Sequence, residues 1–373
     1  MIYLDYAANT PVSPAVLARF VEAETRFIGN PNSHHSAGRG AAEALTQITA
    51  TMAEKLGIQP AEIIYTSGAS EANNMAIKGV ARVSRHLGRH IISTPLEHPS
   101  VSAPLTYLQE QGYEIDLVDI GRDGLIDMEH LRELLRPDTV LVAVSAVDSE
   151  LGTVQPIPAI AELLRDLPHC RLHVDATQAL GKTGLALDGV DTAAFSAHKI
   201  YGLNGSGFLY KKDALVLEPL IHGGVSTTLY RSGTPTLALA AALDTAVEQA
   251  ISERERRTTV VAAHNARLRQ RLSSYPDVRI NSPAHATPHI LNVSVPGIKG
   301  GDFQQALDQS GICVSVKSAC SVEGTPSRAV FAVSRDRKNA LSSWRISLSH
   351  LTTAEEIDQF MAAFDGCLRA LRP

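Results

Sequence analysis

RLHVDATQALGKTGLALDGVDTAAFSAHKIYGLNGSGFLYK, residues 171–211, holds three short apolar runs separated by turn-forming Gly, Asp and Asn. RLHVD (171–175), AAFSA (193–197) and GFLYK (207–211) are each strand-length and too short for a helix. The first ends in Asp175, and the second runs into Ser196, His198 and Lys199. Upstream, IIYTSG (63–68), HIIST (90–94), EIDLVD (114–119) and TVLVAVSAV (139–147) read as further strands. Helical patterns lie between them, near 70–87, 101–111, 128–135 and 158–167. This alternation predicts an α/β fold with a mostly parallel sheet and helices on both faces. In such a sheet the working groups gather at the carboxyl ends of strands.

Beyond about residue 235 the pattern changes. One long helical stretch is predicted over 237–273, then a mixed α+β segment with HILNVSV (289–295) and GICVSV (311–316) as strands. The expected division is a large α/β domain over 15–255. A smaller α+β domain takes 1–14 and 256–373.

Bulk properties exclude several classes. The 373 residues are 44% hydrophobic and carry a formal net charge of −5, so charge alone does not ask for nucleic acid. The start, MIYLDYAANTPVSP, has no basic region before an apolar run, and no stretch approaches the roughly 18 apolar residues of a membrane span. A cytoplasmic protein is expected. Cys170, Cys313, Cys320 and Cys367 form no CxxC pair and no metal-ligand spacing, which argues against a disulfide framework or a zinc site.

Asp175 and Lys199, 24 residues apart at the ends of two strands, are what a pyridoxal-phosphate site needs. The lysine forms a Schiff base, and the carboxylate keeps the pyridine nitrogen protonated so that the ring accepts electrons. A structural ion pair fits the same two residues. TSGASEANN (66–74) places Ser70 at a helix start, where backbone N–H groups suit a phosphate; an ordinary N-cap serves equally. His98, in LEHPSV after the HIIST strand, suits ring stacking and proton transfer, or a buried core histidine.

The series YLDYAANTPV, GNPNSHH, TSGASEANN, LEHPSV, LGTVQP, HVDATQALGK, SAHKIYG, RSGT, SACS and WRISL resembles the cysteine desulfurases in order and approximate spacing. These are the NifS/IscS-like members of the class V aminotransferase group, and the resemblance spans Tyr3 to about Ile357. It implies the fold type I architecture of pyridoxal-phosphate enzymes. It also implies roles, position by position. Lys199 is the Schiff-base lysine, Asp175 the partner of the ring nitrogen, Gln178 the partner of the phenolic oxygen, and His98 the stacking acid/base. Ala69, Ser70, Ser196 and His198 form the phosphate cradle. Thr234 reaches the phosphate from the partner subunit, which makes the active unit a homodimer with shared sites. Arg345 and Asn30 grip the substrate carboxylate, a task suited to the planar guanidinium. Cys320 takes sulfur from L-cysteine as a persulfide and hands it to an acceptor protein. The 25 residues from Cys320 to Arg345 resemble the members with a long mobile catalytic loop.

Departures from the family pattern are local. Asp148-Ser149-Glu150 replaces Asn-Asn-Glu, so Ser149 is a shorter partner for the phenolic oxygen. His222–Thr228 lacks the usual third Gly and the polar residues after it. Lys317 stands where Gly is usual, either favouring the Cys320 thiolate or pointing to solvent. SRDRKN (334–339) reads as a solvated charged turn or as a dock for a negatively charged acceptor. Another fold type I enzyme would use Lys199 and Asp175 equally well, whether a selenocysteine lyase, a β-lyase or an aminotransferase. The motif around Cys320 separates these readings.

Overall fold

The apolar runs pair with one another. In a computed structural model describing residues 1–317 and 324–372, they form one seven-stranded sheet. Its order is Ile63–Thr66, Gly207–Lys211, Thr192–Ser196, Arg171–Asp175, Thr139–Ser145, His90–Ser93 and Glu114–Leu117. From Thr192–Ser196 to Glu114–Leu117 every neighbouring pair is parallel. Gly207–Lys211 alone runs antiparallel to both neighbours. The reason is connection length. Only residues 197–206 separate it from the preceding strand, fewer than the dozen or so that a parallel crossover requires.

Thr139–Ser145 and Thr192–Ser196 are buried along their whole length. Helix Ala69–Val83 lies on the sheet through Ala69, Ala72, Asn73, Ala76 and Val80, a helical-period stripe of mostly small residues. The small residues let its start approach closely. A Cβ on Gly207 would sit 2.3 Å from Phe195 O and 2.7 Å from the Cα of Gly68, so only glycine fits there. Gly68 has φ of 145°, a conformation that favours glycine, and it delivers the helix N-terminus to the end of the Thr192–Ser196 strand.

A second sheet, Ser343–Ser347, Ile290–Ser294 and Arg279–Ile280, is antiparallel, with Asn292 opposite Arg345. Its core centres on buried Trp344, which stacks on Phe303 with ring centroids 5.1 Å apart and lies beside Phe360 and Phe364. The chain start joins the two regions. Ile2–Tyr3 pairs with Ile312–Cys313, Asp5 bridges to Ser347, and Ala7 and Ala8 then reach the main sheet's strand ends.

Several expectations need correction. The stretch 237–273 is two helices, Leu237–Ser252 and Arg254–Leu272, which meet at Glu253. No Gly or Pro marks the break. The first helix buries Leu243, Ala246, Val247 and Ala250 in the main core, and the second buries Val261, Leu268 and Leu272 in the Trp344 core. One straight helix cannot face both. GICVSV pairs as a strand only over Ile312–Cys313. SRDRKN keeps its three basic residues, Arg335, Arg337 and Lys338, exposed as expected, but it is built from two helix ends and not from one turn. Ser334 ends helix Arg328–Ser334, Asp336 caps helix Arg337–Leu341, and Asn339 is buried against Asn281 and Ser294. The long catalytic loop therefore does not extend through 328–341. Helices Pro14–Arg26 and Ser36–Leu56 complete the layer that packs on Leu237–Ser252.

Candidate active site

The strand ends and the N-terminal segment enclose a cavity of about 270 Å³. Lys199, Asp175, Gln178, His98, Ala69, Ser70, Ser196, His198, Ser149 and Arg345 all line it. Asn30 and Thr234 do not. Asn30 is exposed, its side-chain oxygen accepting from the Asn32 N–H, and Thr234 is exposed on a separate loop.

Lys199 follows its strand in a short 3₁₀ turn. Its Nζ donates to Ala7 O at 2.7 Å and to Ala8 O at 2.6 Å. The turn is held from behind. Tyr201 takes a left-handed backbone with φ of 65°, unusual for a bulky residue, and is fixed at several points. Its N–H donates to Thr10 Oγ1, its O accepts from Ser13 N, and its ring lies beneath the Arg257 guanidinium at 4.7 Å.

Asp175 sits at the strand end, buried, with Oδ1 accepting from Thr177 N and Oδ2 from Asn73 Nδ2. These bonds and those of Lys199 do not join the two residues to each other. Asn73 is fully buried and organises a polar network. Its second N–H donates to Ser100 Oγ, and its Oδ1 meets His173 Nε2 at 2.9 Å. Ser100 Oγ in turn contacts His98 Nδ1 at 2.8 Å.

His98 caps helix Pro99–Glu110, and its Nδ1 accepts from the Ser100 backbone N–H. A backbone N–H can only donate, so the neutral ring carries its proton on Nε2. Burial pushes the His98 pKa down, and Lys199 and Arg345 add to that against the opposing pull of Asp175. The ring is therefore neutral, with an Nε2–H donor. Beside it, Glu97 accepts from Thr94 Oγ1, Ser145 N and Ser145 Oγ; burial pushes its pKa up to about 7.

At the far end, Ala69 N donates to Ser196 Oγ at 2.8 Å, tying the N-terminus of Ala69–Val83 to the strand that leads to Lys199. Burial lowers the His198 pKa to about 4, with Lys199 and Lys182 contributing, so its ring is neutral.

Arg345 is 2% exposed. Its Nη2 donates to Asp5 Oδ1 at 2.8 Å and its Nη1 to Ser149 O at 2.7 Å, while Nε is buried without a partner among the described residues. Ser149 thus uses its backbone carbonyl to hold the arginine. Asp148 does not line the cavity. Its Oδ1 accepts from Glu150 N and Leu151 N, its Oδ2 is buried without a partner, and burial pushes its pKa up to about 7.

Lys317 does not point to solvent. It is buried and donates to Thr325 O at 2.8 Å and Thr325 Oγ1 at 2.7 Å. Cys320 lies outside the described residues. Cys170, Cys313 and Cys367 are free thiols. Among the described residues no cluster of His, Cys, Asp and Glu is arranged to hold a metal, and no helix is long and apolar enough to cross a membrane.

Sequence reading did not anticipate Asn73, Ser100 or the Ala7 and Ala8 carbonyls. Asn73 carries a readable signal, a polar residue on the otherwise small, apolar face of its helix. The N-terminal carbonyls carry none, because a backbone atom brought from 191 residues away leaves no side-chain pattern.

The aminotransferase class-V family profile matches residues 2–360. A NifS/IcsS protein homolog of Lactobacillus delbrueckii subsp. bulgaricus is 36% identical over 98% of this chain and 96% of its own. The cysteine desulfurase IscS of Neisseria gonorrhoeae is 37% identical over 100% of this chain and 94% of its own. A solved structure of a NifS-like protein superposes with a TM-score of 0.93 at 32% identity, covering 99% of this chain and 100% of that one. The strand-end lysine and aspartate and the order of the motifs agree with these likenesses over nearly the full length, and the chain belongs to the cysteine desulfurases of the class V aminotransferase family.

Proposed function

We propose that this chain is a pyridoxal-phosphate-dependent cysteine desulfurase. It converts L-cysteine to L-alanine, carries the sulfur as a persulfide on Cys320, and passes it to an acceptor protein. The observation that supports this most is the convergence of Lys199, Asp175, His98 and Arg345 on one cavity.

The residues fit the cofactor. A carboxylate held by two neutral donors suits a protonated ring nitrogen. The N-terminus of Ala69–Val83, with Ser70, Ser196 and His198, suits a phosphate. Lys199 lines the same cavity as these two groups. Bound pyridoxal phosphate supplies an electron sink for charge developing on the substrate Cα.

The chain's own groups do the rest. Lys199 anchors the cofactor and moves the Cα proton. Asp175 keeps the pyridine nitrogen protonated, Gln178 and Ser149 face the phenolic-oxygen side, and His98 offers Nε2–H toward the reacting sulfur. Arg345, which lines the cavity, orients the substrate carboxylate. The step balances. The C–S bond of cysteine breaks, an S–S bond forms on Cys320, and the Cα and Cβ positions end protonated as alanine.

The proposed active unit is a cytoplasmic homodimer in which Thr234, exposed here, serves the partner's phosphate. The division into a large unit over 15–255 and a smaller one over 1–14 and 256–373 is part of the same proposal.

The test is product stoichiometry. With L-cysteine and a dithiol reductant, wild type is expected to release alanine and sulfide in equal amounts, and Cys320→Ala neither. An unimpaired Cys320→Ala would assign the protein a different reaction on the same cofactor.

A further inference from the structure

Lys182 sits just behind Gln178, four residues along the turn that follows Asp175, and lines a second, adjoining cavity with Lys199. Its Nζ donates to Gln178 Oε1, and Gln178 Nε2 donates to Ala7 O at 2.8 Å. The two ends of the amide are thus fixed by different chemistry. An ammonium has no acceptor and selects the amide oxygen, whereas a carbonyl has no donor and selects the amide nitrogen. With Lys182 protonated, both partners demand the same orientation of the amide. One N–H of Gln178 remains for the cavity it lines.

The placement of Lys182 is built into the turn. Gly181 has φ of 75°, and a Cβ there would meet the Ala250 Cβ at 2.9 Å. Only glycine permits that approach, which turns Lys182 back toward Gln178. Thr258 Oγ1 contacts the Lys182 carbonyl from the following helix.

We propose that Lys182 is a positioning residue: it locks the Gln178 amide so that an N–H, not a carbonyl, meets the anionic oxygen of the group that Lys199 holds. This rests on the reading of that group as pyridoxal phosphate. Without Lys182 the Ala7 carbonyl alone holds the amide, and the flipped state, whose carbonyl would face an oxygen anion, becomes less disfavoured. The ammonium also draws electron density through the amide and strengthens the opposite N–H as a donor. Burial, with Lys199 and Arg345 nearby, pushes the Lys182 pKa down to about 7. An anion across the amide would offset that cost.

The experiment compares wild type, Lys182→Met, Lys182→Arg and Gln178→Glu. For each, the cofactor-free protein is titrated with pyridoxal phosphate, and the pH midpoint of the bound cofactor's visible band is recorded. Lys182→Met is expected to bind the cofactor about tenfold or more weakly, the usual cost of losing a hydrogen bond to a charged group. Its midpoint is expected to rise by about one unit, because the more negative form of the chromophore loses its donor. Lys182→Arg keeps a donor and is expected to stay within about threefold of wild type. Should Lys182→Met fail to fold, Gln178→Glu carries the test. It leaves Lys182 an acceptor but removes the N–H donor, and it is expected to lose the same affinity. A wild-type affinity and midpoint in Lys182→Met, or in Gln178→Glu, would overturn the proposal. A Lys182→Arg as impaired as Lys182→Met would do so too. If wild type itself binds no pyridoxal phosphate, the cofactor reading fails instead.

Discussion

Lys199→Ala is expected to be folded and to form no measurable alanine from L-cysteine. The side chain is only partly buried, and its Nζ bonds to two backbone carbonyls, Ala7 O and Ala8 O. Both carbonyls face a cavity large enough for water, so truncation costs little stability, about 1 kcal/mol. The chemistry has no substitute. Removing the group proposed to anchor the cofactor and move the Cα proton is expected to lower the rate by at least about 10³-fold. Alanine formation and the melting temperature, measured on the same preparation, check both halves. A variant retaining a tenth of the activity would remove Lys199 from its assigned role.

Arg345→Lys is expected to raise KM for L-cysteine about 100-fold while changing kcat much less. The guanidinium is held at two points, by Asp5 and by the Ser149 carbonyl. A lysine ammonium reaches one of these positions but cannot present a planar fork. A carboxylate is bound equally in the ground state and the transition state, so losing that grip acts mainly on KM. Stability falls as well. Asp5 loses half of a largely buried ion pair, which costs about 3 kcal/mol when one partner is removed; a lysine recovers part of that. Steady-state kinetics with L-cysteine and chemical denaturation test the two effects separately. An unchanged KM would place the substrate carboxylate elsewhere.

The sheet was readable because its central strands are short, continuous apolar runs that can be buried on both faces, as in Thr139–Ser145. The reversed direction of Gly207–Lys211 follows from the short connection once the sheet is accepted. Sequence periodicity gave no sign of the break at Glu253, because it arises from two separate cores that each claim one half of the helical stretch. Strand ends were the informative places for the site. Asp175, Ser196, His198 and Lys199 all occupy them and line one cavity. What sequence could not supply was long-range backbone geometry. Ala7 and Ala8 reach Lys199 as carbonyls, and Ser149 holds Arg345 through its main chain. Lys182 went unread for a related reason. Its significance lies in which end of an amide it touches, and that appears only when the turn at Gly181 is seen.

The central claim is that sulfur leaves cysteine for Cys320 within this cavity. The most direct measurement is mass spectrometry of the Cys320 peptide after brief exposure of the cofactor-loaded protein to L-cysteine, without reductant and with rapid trapping of thiols. The expected result is the mass of one additional sulfur atom on Cys320, removed by dithiol and absent in Lys199→Ala. Alanine forming at the wild-type rate with an unmodified Cys320, or the added sulfur found instead on Cys170, Cys313 or Cys367, would contradict it.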